Sequence, residues 1–107
     1  MSFDCLEVAL QIIPSLAGPV RTIAQHDRDL AGQLKRAATS IASNVDEGRK
    51  RLGGDRAYLW SVAAGSAAEV ATQLRIALGW GYVDADAIAA PLALLDRVRA
   101  MLWRLTH

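Results

Sequence analysis

Between Asp27 and Gly48 the residues Leu30, Leu34, Ala37, Ile41 and Val45 recur at steps of three and four. That spacing returns every side chain to one stripe of an α-helix, whereas a half-buried strand needs strict alternation. The same rhythm runs through Leu6, Ala9, Ile13, Leu16, Val20 and Ile23. It runs again through Leu59, Val62, Ala63, Ser66, Val70, Leu74 and Ala77, and through Leu92, Leu95, Val98, Leu102 and Leu105. Four such stripes stabilise one another only by packing together, and short connections make sequence neighbours antiparallel. The sequence therefore predicts an all-α fold, an antiparallel up-down-up-down four-helix bundle, with residues 1–107 as a single domain. A chain of 107 residues, 52% of them hydrophobic and only 6% aromatic, buries roughly 60 to 70 per cent of its unfolded surface on folding.

Punctuation marks sharpen the segments. Asp27 is placed to cap a second helix that runs to about Glu47 with Gly48 as its stop. The turn Arg51-Leu52-Gly53-Gly54-Asp55 leads to a third helix from about Asp55 to Leu78, and Gly79 to Asp84 closes it. A fourth begins near Asp84 or Asp86 and contains Pro91. In the first segment Pro14 and the pair Gly18-Pro19 each remove a helical donor, which predicts a kink or a restart with Pro19 in the first turn. The third segment carries Ala63, Ala64, Ala67, Ala68 and Ala71 on several faces, more apolar surface than one small core covers, and this predicts a partner surface anchored by Trp60, Trp80 and Trp103.

Cys5 has no second cysteine to pair with, so it reads as a small buried hydrophobe in a reducing, cytoplasmic compartment. The acidic start (Asp4, Glu7) does not resemble a secretory leader. The longest apolar run, Ala87 to Leu95, is too short for a bilayer. We expect no membrane association.

Polar residues carry the functional signal. Gln33, Ser40, Asn44 and Glu47 fall along one edge of the second stripe, and Ser66, Glu69 and Gln73 along an edge of the third. Facing polar edges satisfy one another and fix register, with Gly65 and Ser66 permitting close approach. We therefore expect Ser40, Asn44, Glu47, Ser66, Glu69 and Gln73 to form a structural polar layer. A catalytic alternative would need Asn44, Glu47 and Glu69 open to solvent. Nothing else supports an enzyme, because His26 and His107 stand alone, and no Ser-His-acid or Cys-His set is apparent. Glu7, Glu47 and Glu69 are followed three residues later by Leu10, Lys50 and Thr72, not by the histidines of a di-iron bundle. Neither phosphate-loop nor dinucleotide glycine pattern occurs. The expectation is no catalytic residues, no metal and no cofactor.

The formal net charge is +1, too little to announce nucleic-acid binding by itself. Its distribution is uneven. Residues 35–56 hold Lys35, Arg36, Arg49, Lys50, Arg51 and Arg56 against Asp46, Glu47 and Asp55, while the rest of the chain carries six basic and eight acidic groups.

Three stretches, QLKRAATSIASNVDEGRKR (33–51), AAGSAAEVATQLRIA (63–77) and GYVD (81–84), together resemble the bacterial four-helix bundle family of 23S ribosomal RNA intervening-sequence proteins. That family's pattern is Gln-Leu-Arg-Arg-Ala-Ala-x-Ser-Ile-Pro-x-Asn-Ile-x-Glu-Gly, later Gly-Ser-x-x-Glu-x-x-x-Gln-Leu, then Gly-Tyr. Lys35, Ala42 and Val45 depart from it conservatively. The resemblance implies a homo-oligomer, a pentameric barrel, and kinship with the accessory variability determinant of diversity-generating retroelements. It also implies a non-enzymatic protein that binds RNA or a ribonucleoprotein, here through Lys35, Arg36, Arg49, Lys50, Arg51 and Arg56. The alternative is a protein-interaction scaffold with no affinity for nucleic acid.

Overall fold

The computed structural model describes residues 3–107. Four helices follow in order: α1 (Asp4–Ala24), α2 (Arg28–Arg49), α3 (Gly53–Gly79) and α4 (Ala85–Thr106). Each packs on its sequence neighbours and α4 returns to α1, so the cross-section is a closed ring of antiparallel helices. The bundle measures 42 × 22 × 20 Å. One end, the crown, holds the α1–α2 and α3–α4 turns. The other, the base, gathers the start of α1, the α2–α3 turn and the end of α4.

The α2 stripe is buried as the spacing predicts, with Leu34, Ile41 and Val45 wholly inaccessible beside Leu30 and Ala37. Burying each large aliphatic side chain stabilises the fold by about 1.5–3 kcal/mol. The Asp27 carboxylate accepts from the Leu30 amide at 2.9 Å and that of Asp84 from Ala87 at 3.0 Å. Each cap satisfies a donor the helix leaves open and is worth about 1 kcal/mol.

Three expectations are corrected. First, α1 does not restart at Pro19: one helix runs from Asp4 to Ala24 with Pro14 and Pro19 both inside it. Packing against α2 and α4 holds the segment helical despite two missing donors. Gly18, lacking a Cβ, relieves the clash that a following proline ring imposes in the helical region. Second, the buried face of α1 is Cys5, Val8, Ala9, Ile12, Leu16, Pro19 and Ile23, while Leu6 and Val20 are half-buried and Ile13 is exposed. Adjacent apolar residues such as Val8-Ala9-Leu10 and Ile12-Ile13 offer more than one stripe at three- and four-residue steps, and the packed one is displaced from that through Leu6, Ile13 and Val20. Third, Gly48 does not stop α2, which continues to Arg49 with no left-handed residue there. It makes room instead: a Cβ on Gly48 would fall well inside contact distance of Trp60 Cδ1 and Nε1. Trp60 is accordingly a core residue and no partner anchor, whereas Trp80 and Trp103 are exposed.

The crown shows why Gly81-Tyr82 follows α3. Gly81 adopts φ +77, its amide donates to Leu78 and the Tyr82 amide to Ala77, the paired bonds of a Schellman C-cap. This reversal places Tyr82 on His26, with ring centroids 4.8 Å apart and planes 8° apart, so the α1–α2 and α3–α4 turns are pinned together.

Candidate functional site

The α2–α3 corner is built by two side chains of α3 reaching back to the end of α2. The Trp60 indole donates to the Val45 carbonyl at 3.2 Å. Arg56 donates from Nε to the Gly48 carbonyl at 3.1 Å and from a terminal nitrogen to that of Arg49 at 3.0 Å. Its guanidinium also lies 5.2 Å from the Trp60 ring centroid. Arg56 therefore acts as the C-cap of α2, satisfying carbonyls that have no helical donor and complementing the negative end of the dipole. Phe3 stacks on Trp60 at 5.8 Å.

Around this corner stand the three consecutive cations. Arg49 and Lys50 share the Asp46 carboxylate at 2.8 and 3.0 Å, and Arg51 reaches Glu47 at 3.5 Å. Hydrogen bonds from Lys50 and Arg49 hold the Asp46 carboxyl below the usual aspartate range. All are solvent-exposed helix-surface pairs, screened by water and adding little to stability. Three cations thus meet two carboxylates, and the pairs are weak enough for a phosphate to displace.

The other predicted basic residues lie elsewhere. Lys35 and Arg36 sit about 20 Å up α2 from Arg49 at the helical rise. Lys35 edges a groove of about 300 Å³ between α1 and α2, with Ile13, Leu16, Val20 and Arg21. Arg36 edges the α2–α3 groove with Gln33, Ser40, Ser66 and Glu69. The six cations therefore do not form one patch: Lys35 and Arg36 stand on different grooves, away from the four at the α2–α3 corner.

Most of the polar residues are brought together along α2 and α3. Asn44 Nδ2 donates to the Ser40 carbonyl at 2.8 Å and to Ser40 Oγ at 3.0 Å, and the Ser40 and Ser66 hydroxyls share a hydrogen bond at 2.9 Å. Ser40 Oγ accepts from Asn44 and so is free to donate onward to Ser66. Further along, Gln73 Nε2 donates to Gln33 Oε1 at 3.4 Å and to Glu69 Oε1 at 3.5 Å. Gln73 is only 5% exposed and its own carbonyl oxygen has no partner among the described residues. Glu47 stands apart on the surface with Arg51.

Among the described residues no three His, Cys, Asp or Glu side chains gather as metal ligands, and no helix is long and apolar enough to cross a membrane. Burial pushes the Cys5 thiol up to about 11. Sequence reasoning missed one group at the base: Arg99, Arg104 and His107 come to this end beside Trp103 because α4 finishes where α2 does. Antiparallel topology, followed to the last turn, was the signal for it.

Residues 7–104 match the family model described as 23S rRNA-intervening sequence protein. The chain is also similar to a crystal structure at 1.70 Å of a protein of unknown function from the S23 ribosomal protein family of Bacteroides thetaiotaomicron VPI-5482. The two agree with a TM-score of 0.86 at 14% identity, over 95% of this chain and 97% of that one. At that identity the likeness is one of fold. No curated protein matches the sequence.

Proposed function

From the premise that the chain belongs to the 23S rRNA-intervening sequence protein family, we propose that it is a non-enzymatic binding protein for RNA or a ribonucleoprotein. It works as a homo-oligomer, a pentamer in our reading, and presents its basic corners together. The observation that carries this reading is the exposed turn Arg49-Lys50-Arg51, whose three cations face two carboxylates in solvent-exposed pairs. One protomer offers about three phosphate contacts there. Each neutralised phosphate adds close to one unit to the salt dependence of binding, so a ring multiplies a modest patch.

Anisotropy titration of a labelled structured RNA at about 50 and about 200 mM salt, with assembly mass measured on the same sample, tests it. Counting Arg99 and Arg104 at the same end, one protomer offers about five contacts, so a logarithmic salt slope clearly above about 5 requires more than one protomer on each RNA. Replacing Arg49, Lys50 and Arg51 by Ala should flatten that slope at unchanged stability. No binding at the lower salt sinks the reading. A protein partner would then be the better reading, favoured by Leu10 and Ile13, which stand 47% and 41% exposed on α1.

A further inference from the structure

The base of the bundle carries an aromatic surface beside its cations. Trp103 is 61% exposed, yet its ring is not loose. The indole lies parallel to the His107 imidazole, with centroids 4.5 Å and planes 6° apart. His107 Nδ1 is 3.0 Å from the Trp103 carbonyl and 3.0 Å from Thr106 Oγ1. This ring pair walls an open groove of about 660 Å³ between α3 and α4, where Ser61, Ala64, Gly65 and Ala100 supply only small side chains. A Cβ on Gly65 would meet nothing within 4 Å, so the groove is open there. Arg99 lines it, and Arg104 follows Trp103 on the last turn.

Those features select a ligand. A flat, solvent-facing indole held by a stack is ready to take another planar ring, and the adjacent cations call for anions. Planar rings strung between anions are the unpaired nucleotides of a single strand, whereas a duplex keeps its base faces for itself. The groove is also continuous with the basic turn through packed side chains. Trp60 lines it, Arg56 lies over Trp60, and Arg56 is bonded to the carbonyls of Gly48 and Arg49. Asp96, the groove's carboxylate, lies one turn from Arg99 on the same helix, and Asp4, Glu7 and Asp55 also come to the base, so positive charge is concentrated locally, on Arg104 and the Arg49-Lys50-Arg51 turn, and is not a surplus of the whole end.

The crown shows the contrast. Trp80 is even more exposed and stacks on Tyr82, but Asp27, Asp29, Asp84 and Asp86 cluster at the N-termini of α2 and α4 there. That end does not suit a polyanion.

We propose that the α3–α4 groove binds unpaired RNA nucleotides, one base stacking on Trp103 while the backbone runs past Arg99 and Arg104 toward the Arg49-Lys50-Arg51 turn. This rests on the RNA reading above and narrows its ligand to single strands. The test is anisotropy titration of a labelled oligoadenylate and of an equally long RNA duplex against wild type, Trp103→Ala, Trp103→Tyr and the Arg49/Lys50/Arg51→Ala triple variant. Trp103→Ala should weaken single-strand binding about 10- to 100-fold, with the salt slope and duplex binding unchanged, and Trp103→Tyr should recover most of the loss. If Trp103→Ala binds the single strand as wild type does while the triple variant fails, the stacking proposal falls and the RNA reading stands. If wild type binds neither RNA, both fall. A changed assembly mass for Trp103→Ala would show the groove to be a contact between copies, which also overturns the proposal.

Discussion

Replacing Gly48 by Ala tests the packing of the base most directly, because helix propensity and tertiary packing predict opposite signs. In an exposed helix interior Ala is favoured over Gly by about 1 kcal/mol. Here the new Cβ would fall against Trp60 Cδ1 and Nε1, with Cε2 at 3.2 Å. The indole has nowhere to retreat, being 5% exposed, stacked on Phe3 and covered by Arg56. Forcing it aside costs about 1–3 kcal/mol in overpacking, and losing its bond to the Val45 carbonyl costs about 1–3 more. Set against the propensity gain, the net is a destabilisation of about 1–5 kcal/mol, a melting-temperature fall of roughly 5–25 °C for a domain of this size. Thermal melts by circular dichroism at matched protein concentration measure it. Gly65→Ala is the internal control: with open space around it, it should raise stability by about 0.5–1 kcal/mol. In a Trp60→Leu background the Gly48→Ala penalty should largely vanish. A Gly48→Ala protein as stable as wild type, or more so, would refute the argument that the ring dictates the glycine.

Other outcomes follow from the same contacts. Arg56→Lys should cost about 1–2 kcal/mol in a denaturant melt, since an ammonium cannot reproduce two divergent carbonyl bonds and the ring contact together; an unchanged midpoint would mean that Arg56 does not cap α2. In a double-mutant cycle Ser40→Ala and Ser66→Ala should couple by at least about 0.5 kcal/mol, and additive effects would show that the shared hydroxyl bond contributes nothing. Cys5, buried and raised to about 11, should resist alkylation at about pH 8 until the chain unfolds; rapid native-state labelling would contradict its burial. Asp46 should titrate by NMR below the ordinary aspartate midpoint and move back up in Arg49→Ala and Lys50→Ala. Because its folded value is depressed, its contribution to stability is present above the ordinary value and disappears as pH falls through the lowered one. An Asp46 midpoint at the ordinary value would remove the pairing from the account.

The candidate site was only partly legible. Ser40, Asn44 and Ser66 could be placed on facing edges because helical spacing fixes where a side chain lies once the buried stripe is known. Glu47 was assigned to the same edge, yet a long side chain at a helix end reaches solvent and pairs with Arg51 at 3.5 Å. Arg56 reads in the sequence as one more cation of a basic run. Its two bonds to α2 carbonyls exist only because the three-residue connection 50–52 folds α3 back against α2.

The sequence alone determined four helices, the N-cap of α2 and its buried stripe, since these depend on periodicity and on residues within a few positions of one another. Tertiary structure decided which stripe of α1 turns inward, because adjacent apolar pairs such as Ile12-Ile13 allow two neighbouring stripes until α2 and α4 supply the opposing surfaces. It carried α1 through two prolines, because packing along the whole helix outweighs two lost donors. It also made Gly48 a seat for Trp60 and joined the end of α4 to the α2–α3 corner. Both are contacts between residues far apart in the chain, and local pattern holds no information about such distances.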